Sequence, residues 1–270
     1  MKAKQFVYPY VGWMAVFVVA PILLIITYAF TSSNGALTMT NFSAMSSYMS
    51  VFIRSFWLSA IATVICIIIG YPLAYILSRE GLRMQRIMIM LIMLPMWMNF
   101  LLRTYAWMSI LENTGLLNRL LGLIGLPGIR IINTQAAVVV GMVYNFLPFM
   151  ILPIYSVIVK IDRSLIEAAQ DLGANTKAVF RKLVFPLSLP GVLSGVTMVF
   201  VPGVSTFVIS QLLGGGKEML LGDLIELQFM GAAYNPHLGS AISLVMMIIV
   251  IAFMYVMNRF GEGEEGVAGL

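Results

Sequence analysis

Residues Lys160 to Pro186 read KIDRSLIEAAQDLGANTKAVFRKLVFP, a polar, helix-forming stretch set between two long apolar runs. Ser164 followed by Glu167 has the spacing of a capping box, in which the hydroxyl satisfies a free N–H at the helix start and the carboxylate reaches back to another. This predicts a helix beginning near Ser164. Leu165, Ala168, Ala169 and Leu172 recur at helical spacing, giving a small apolar side, with Glu167, Gln170 and Asp171 on the remaining surface. Gly173 is placed to end the helix in the left-handed conformation. Asn175 can cap a second helix whose Lys177, Arg181 and Lys182 lie toward its far end, where cations complement the macrodipole. Pro186 ends the polar stretch. The expected product is a compact protrusion of two short helices between membrane spans, suited to docking.

The rest of the chain belongs in a bilayer. Of 270 residues, 60% are hydrophobic and 10% charged, and the mean hydropathy is +0.97; one soluble core cannot hide that much apolar surface. A span needs about 20 mainly apolar residues, and such runs are read near residues 11–30, 56–77, 87–111, 136–159, 187–213 and 238–257. This predicts an all-α membrane protein of six transmembrane helices, one transmembrane domain with a cytoplasmic loop over 160–186. The first run is long for a signal peptide and no small-residue cleavage site follows it, so it reads as a retained anchor. The Ser-rich segment from Thr31 to Ser50 has no Lys or Arg and reads as an outer loop. Gly70 and Pro72 predict a kink in the second span, since proline frees a carbonyl that neighbouring helices must satisfy. The apolar part of the third span ends at Leu102, about 24 Å after Ile87, short of the roughly 30 Å hydrocarbon core. Arg103 thus falls near the far interface, among Trp97, Tyr105 and Trp107, and either snorkels to the interface or lines a cavity. Gly191 and Gly195 have the small-xxx-small spacing that lets two helices approach closely.

Lys and Arg fall mostly on one side if both termini are inside. Lys2, Lys4, Arg79, Arg83, Arg86, Lys160, Arg163, Lys177, Arg181, Lys182 and Arg259 are then cytoplasmic, against Arg54, Arg103, Arg119, Arg130 and Lys217 outside. The tail ends with Glu262, Glu264 and Glu265. A net charge of +5 spread between apolar spans forms no basic tract for nucleic acid.

Other motifs carry no chemistry. Gly214, Gly215, Gly216 and Lys217 lack the leading glycine of a phosphate loop, and Glu218 stands where Ser or Thr should hold magnesium. His237 has no second histidine or cysteine with which to share a metal. Cys66, the single cysteine, lies in an apolar run and reads as packing, as do the many methionines on helical apolar faces. No nucleophile and base stand in a recognisable setting, so no catalytic residue is assigned. Arg103, Tyr144 and Asn145 in or beside the spans are substrate-path candidates, as are Asp223 and Glu226, which share a face of a short helix over Met219 to Met230. The alternative for the two acids is a solvated face. A cationic solute would gain from carboxylates and aromatic faces that replace part of its hydration.

Glu167, Ala168, Ala169 and Gly173, with an apolar segment and Pro186 downstream, resemble the EAA loop of bacterial type I ABC importer permeases, which have the MetI-like fold. The wider stretches IYSVIVKIDRSLIEAAQDLGA and VFPLSLPGVLSG are similar to the spermidine/putrescine permease branch, its B subunit in particular, and the resemblance extends over nearly the whole chain. It implies that Glu167, Ala168, Ala169 and Gly173 form a coupling helix seated in a groove of a separate ATPase. It also implies a subunit of the bacterial cytoplasmic membrane that works with a pair of ATPases binding ATP and Mg, a second homologous permease and an extracytoplasmic substrate-binding protein. The chain itself then needs no cofactor and translocates polyamines. The alternatives are a permease for an inorganic anion, a metal complex or another cation, and, from a different class, a channel or structural membrane protein that works without ATP.

Overall fold

The computed structural model describes residues 3–231 and 233–262; Lys2, Glu264 and Glu265 lie outside them. The described chain is helical. In order come α1 (Ala3–Met14), a π-turn (Ala15–Val19), α2 (Ala20–Ala29), α3 (Thr40–Ala44), α4 (Met49–Arg79), α5 (Leu82–Met93), α6 (Phe100–Leu111) and α7 (Leu116–Leu123). There follow α8 (Gln135–Ile158), α9 (Arg163–Asp171), α10 (Thr176–Val179), α11 (Phe185–Ser205), α12 (Val208–Leu213), α13 (Leu221–Met230) and α14 (Pro236–Glu262).

Among the described residues, five helical stretches are long and apolar enough to cross a membrane: Tyr8–Ala29, Thr40–Arg79, Gln135–Ile158, Thr176–Ser205 and Pro236–Phe260. The third apolar segment departs from the single run expected over 87–111. Leu82–Trp97 and Phe100–Leu123 pass the same test together but meet at 91°. The break has local causes. Pro95 sits in a 3₁₀ turn, Met98 is extended at φ −76° and ψ 150°, and the Asn99 side chain restarts the helix by accepting the Leu101 N–H at 2.8 Å.

Two further boundaries differ from expectation. The segment Thr31–Ser50, expected as an outer loop, turns through a Thr31–Leu37 bridge and is helical from Thr40 onward, feeding into α4. The fifth span, expected over 187–213, ends at Ser205 because Thr206 is extended at φ −67° and ψ 143°. Gly222 packs on that corner, where a Cβ would come 2.7 Å from the Thr206 carbonyl oxygen.

The polar stretch also differs in detail. The N-cap of α9 is Asp162, not Ser164: the Asp162 carboxylate accepts the Ser164 N–H at 2.9 Å, and Asp162 itself is extended. A carboxylate carries full charge toward the helix N-terminus, so it outcompetes the hydroxyl two residues on. Hydrogen bonds from Ser164 hold the Asp162 carboxyl below its ordinary value. Gly173 ends the helix at φ +85°, with its own N–H on Gln170 O at 2.8 Å and the Ala174 N–H on Ala169 O at 3.0 Å, the two bonds of a Schellman motif. Asn175 caps the next helix through Ala178 N–H at 2.8 Å. That helix is no separate protrusion, since Thr176–Ser205 runs on into the membrane. A π-turn at Phe180–Val184 precedes Pro186 and takes up the register change required by its missing N–H.

The core sits between α4, α8 and α11, around Leu58, Ala62, Cys66, Met142, Met150 and Ile154. Glycines set the separation. A Cβ at Gly191 would lie 2.9 Å from Pro153 O and 3.0 Å from Ile154 Cα, and one at Gly195 would lie 3.3 Å from Met150 Cα. Gly203 makes the matching approach to α4, with a Cβ 3.1 Å from Ser59 Oγ. α14 carries α2 on its outer side through the fully buried pair Ala29 and Ala241. His237 at the head of α14 lies with Nδ1 3.1 Å from Tyr28 O and packs at a tilt against the Tyr28 ring, so it ties the first span to the last.

Gly191→Val drives a side chain into backbone atoms that cannot yield and should cost about 1–3 kcal/mol, seen as a lower midpoint in thermal denaturation of the detergent-solubilised protein; Gly12→Val, with nothing within 4 Å, should leave the packing unchanged. Asp162→Ala should loosen the first turn of α9, read as faster amide exchange at Ser164–Ile166, with a smaller effect for Ser164→Ala. Because the Asp162 carboxyl is lowered in the folded state, its contribution is fully present above the ordinary value of 3.8 and is lost as the pH falls through the lowered one.

Candidate functional site

α9 is amphipathic, but with its faces arranged differently from the expected pattern. Ile166 and Ala169 turn inward and pack with Ile161, Ala174 and Phe180 against the core. Leu165, Ala168 and Leu172 lie on the outer surface, with Leu172 90% exposed and Leu165 48%. The small apolar stripe therefore divides: Ala169 anchors the helix, and Leu165, Ala168 and Leu172 are left without a partner in this chain. Glu167 lies one position from the anchor Ile166 and borders a cavity of about 490 Å³ shared with Arg79, Arg163, Tyr75, Gln85 and Gln170. The cavity separates α9 from the α4–α5 corner. Gln85 holds that corner by donating to Glu80 O at 2.8 Å and accepting from Tyr155 Oη at 2.8 Å.

Side-chain contacts connect the segment after α9 to the spans. Phe180, in the π-turn just after α10, sits edge-on to Tyr71 and Tyr75 of α4, with ring centroids 5.8 and 5.2 Å away. Tyr71 in turn contacts Phe185 and hydrogen-bonds Ser188 Oγ on α11 at 2.7 Å. Sequence alone does not single out this aromatic cluster, because Tyr71 and Phe180 are far apart in the chain and each reads as ordinary span composition.

Asp223 and Glu226 lie at the other end of the molecule. Ser55 near the start of α4 accepts the Leu221 N–H at 2.8 Å, while Arg79 at the end of α4 lines the α9 cavity. The two are about 36 Å apart along a helix rising 1.5 Å per residue, more than the roughly 30 Å core thickness. α9 and α13 thus stand on opposite membrane faces.

A shared solvated face does not describe the two acids. Asp223 is 4% exposed, and its Oδ2 accepts the Leu220 N–H at 2.7 Å, closing the first turn of α13. Its Oδ1 is buried with no partner. Burial, helped by the nearby Glu226, pushes the Asp223 carboxyl up from 3.8 to about 6 against the pull of its hydrogen bonds. Glu226 is half-buried and accepts from Gln211 Nε2. Between α12 and α13 lies a cavity of about 260 Å³ bounded by Ser210, Gln211, Glu218, Met219, Asp223 and Leu227. Glu218 is braced by Arg54 at 3.3 Å and by Gln135 Nε2 at 3.1 Å. The glycine run that fails as a phosphate loop builds this wall: Gly215 and Gly216 adopt φ of +61° and +72° and turn the chain so that Glu218 faces Arg54. Ser210, Gln211 and Glu218 carry no signal in the sequence beyond the placement of Glu218 beside a turn.

Arg103, Tyr144 and Asn145 belong to a third region. Arg103 is only 8% exposed, so it does not snorkel; its Nε and one terminal nitrogen are buried without partners, and its guanidinium carbon lies 5.8 Å from the Phe100 ring. One turn further along α6, Trp107 packs edge-on against Tyr144 of α8, with ring centroids 5.2 Å apart. Asn145, 3% exposed, donates to Gly141 O at 2.8 Å and leaves its Oδ1 unpartnered. The structure joins α6 to α8 through the Trp107–Tyr144 contact, and brings neither Arg103 nor Asn145 to the acidic pair.

The sequence pattern of the family described as binding-protein-dependent transport system inner membrane component matches residues 67–262. The spermidine/putrescine transport system permease protein PotB of Haemophilus influenzae is 38% identical over 259 residues, covering 92% of this chain and 90% of that protein. PotB of Escherichia coli is 36% identical over 89% of this chain and 90% of its own length. Among solved structures, a bacterial ABC transporter involved in the import of the acidic polysaccharide alginate superposes with a TM-score of 0.79 at 15% identity, over 97% of this chain and 95% of that one. The MetNI methionine ABC transporter gives 0.61 at 19% identity, over 82% and 97%. Those two likenesses establish the fold, that of the ABC importer permeases. With the family pattern spanning most of its length, the chain belongs to the binding-protein-dependent transport system inner membrane components and is a multi-span transport permease.

Proposed function

We propose that this protein is the membrane-spanning subunit of an ATP-driven importer of polyamines, spermidine and putrescine, in the bacterial cytoplasmic membrane. The observation that carries the substrate is the 38% identity, over nine-tenths of both chains, to a permease named for those solutes. ATP and Mg bind on a separate pair of ATPase subunits, α9 docks in a groove of one of them, and a second, homologous permease completes the membrane unit. An extracytoplasmic binding protein delivers the solute; the alginate importer has been crystallised with its periplasmic protein, which supports a partner of that kind. Both termini and α9 are cytoplasmic.

In this reading the exposed stripe Leu165, Ala168 and Leu172 is the docking face. Burying two leucines and an alanine in a partner groove is worth a few kcal/mol before association costs. Closure of the ATPase dimer moves α9, and the Phe180–Tyr71–Tyr75 cluster passes the displacement to α4 and α11. The spans then rock between inward-open and outward-open packings. Prolines within α4, α8 and α11 already interrupt the backbone ladder and lower the resistance to bending there.

The deciding experiment is uptake of radiolabelled spermidine into proteoliposomes holding this chain, the second permease, the ATPases and the binding protein. Uptake should require ATP and be competed by putrescine; transport without ATP would indicate a channel, and competition by an inorganic anion or metal complex alone would indicate another solute. Gly173→Asp should abolish or strongly reduce ATP-dependent uptake while the subunit still inserts, since the left-handed backbone costs a side chain about 1–2 kcal/mol and a Cβ there would meet no non-neighbouring atom of this chain within 4 Å. Glu167→Ala should be milder. A disulfide cross-link from Ala168→Cys to the ATPase should weaken in the Gly173→Asp protein, and normal uptake with normal cross-linking would remove α9 from the coupling role. For orientation, Lys177→Cys should resist an impermeant thiol reagent in intact cells while Ser47→Cys reacts.

A further inference from the structure

The side chains that line the cavity between α12 and α13 offer several oxygen acceptors. Asp223 commits Oδ2 to the Leu220 N–H, and its buried Oδ1 has no partner. Ser210 gives its hydroxyl proton to Phe207 O at 2.9 Å, so its oxygen offers lone pairs. Gln211 gives one Nε2 hydrogen to Glu226, and its carbonyl oxygen has no partner among the described residues. Glu218 is already matched by Arg54 and Gln135. An ionised carboxylate with a bare, buried oxygen is costly unless a donor reaches it.

We propose that this cavity binds one primary ammonium end of a polyamine, with Asp223 Oδ1 as the charged acceptor and Ser210 Oγ and the Gln211 carbonyl oxygen completing its hydrogen bonds. The inference rests on the polyamine-importer reading and assigns that solute a site on the membrane face opposite α9. An ammonium group carries three donors and no acceptor, the complement of what the cavity presents. Met219 and Leu227 supply apolar wall for the attached methylenes. The volume of about 260 Å³ falls below the roughly 300–1,000 Å³ of sites that enclose a whole small molecule, so it takes an aminoalkyl end and leaves the rest of the solute outside. A metal ion fits less well: among the described residues no three His, Cys, Asp or Glu side chains stand close enough to hold one. The Arg54–Glu218 pair closes one side of the cavity.

Asp223→Asn separates charge from capping, because the amide oxygen can still accept the Leu220 N–H. In the complete reconstituted complex, the variant should raise KM for spermidine about tenfold or more with kcat kept within about twofold. A second measurement does not depend on transport by the variant. In a Cys66→Ala background, Met219→Cys should be labelled by a thiol reagent, slowed by spermidine, and not slowed by spermidine acetylated at both ends or by NaCl at equal ionic strength. Unchanged KM in Asp223→Asn, or equal protection by the acetylated compound or by NaCl, overturns the site while leaving the importer reading intact. Failure of the wild-type complex to take up polyamine overturns both. Should Asp223→Asn not assemble, absence of spermidine protection at Met219→Cys in the wild-type Asp223 protein overturns the site by itself.

Discussion

The close approach of α8 and α11 is the constraint on which the remaining structure depends. In a bilayer the hydrophobic effect does not drive one helix against another, so association rests on van der Waals contact, and that contact requires small residues where backbones meet. Gly191 and Gly195 bring α11 against the backbone of α8 at Pro153, Ile154 and Met150, and Gly203 brings it against Ser59 of α4. The same three helices contain Pro72, Pro148, Pro153, Pro190 and Pro202. Tight packing thus holds together elements whose own hydrogen-bond ladders are interrupted, an arrangement compatible with two alternative packings of similar energy.

The helix that meets the outside world is built differently from that core. α9 keeps Ile166 and Ala169 for its own attachment and leaves Leu165, Ala168 and Leu172 exposed. A charged cap at Asp162 and a left-handed glycine at Gly173 fix both ends of the helix. The next segment is continuous with α11, and its π-turn carries Phe180 into the Tyr71–Tyr75 pair. Geometry at one membrane face is linked to the packing of the spans through a few aromatic contacts and not through a flexible loop.

At the opposite face, chain breaks create the chemistry. Thr206 stops α11 short of its apolar limit, α12 and the left-handed glycines Gly215 and Gly216 reverse the chain, and α13 lies back over the start of α4. The reversal buries Asp223 in a cavity of acceptors and seats Glu218 against Arg54. Arg103 is a separate consequence of a break: with the third segment bent by 91° after Trp97, the arginine that a straight helix would carry to the interface lies inside.

Much of this is legible in the chain. Apolar run length is a local property and the bilayer has a set thickness, so the all-α class and five of the six expected spans follow from composition and segment length alone, while the third is a pair of helices bent by 91°. Gly173 is readable as a helix end because the left-handed conformation excludes side chains for steric reasons internal to the residue, and the EAA spacing locates α9 from residue types alone. Other features needed the tertiary structure. Ser164 and Asp162 are both able caps, and the structure shows the charged one, Asp162, taking the position. Leu165 and Ala169 look alike on a helical wheel, yet one is exposed and the other anchored, because the choice depends on which way α9 leans. Asp223 and Glu226 share a face by periodicity, but burial is set by what packs on that face. The serine, glutamine and glutamate that surround Asp223 come from α12 and the turn after it, brought there by a chain reversal that no local pattern records.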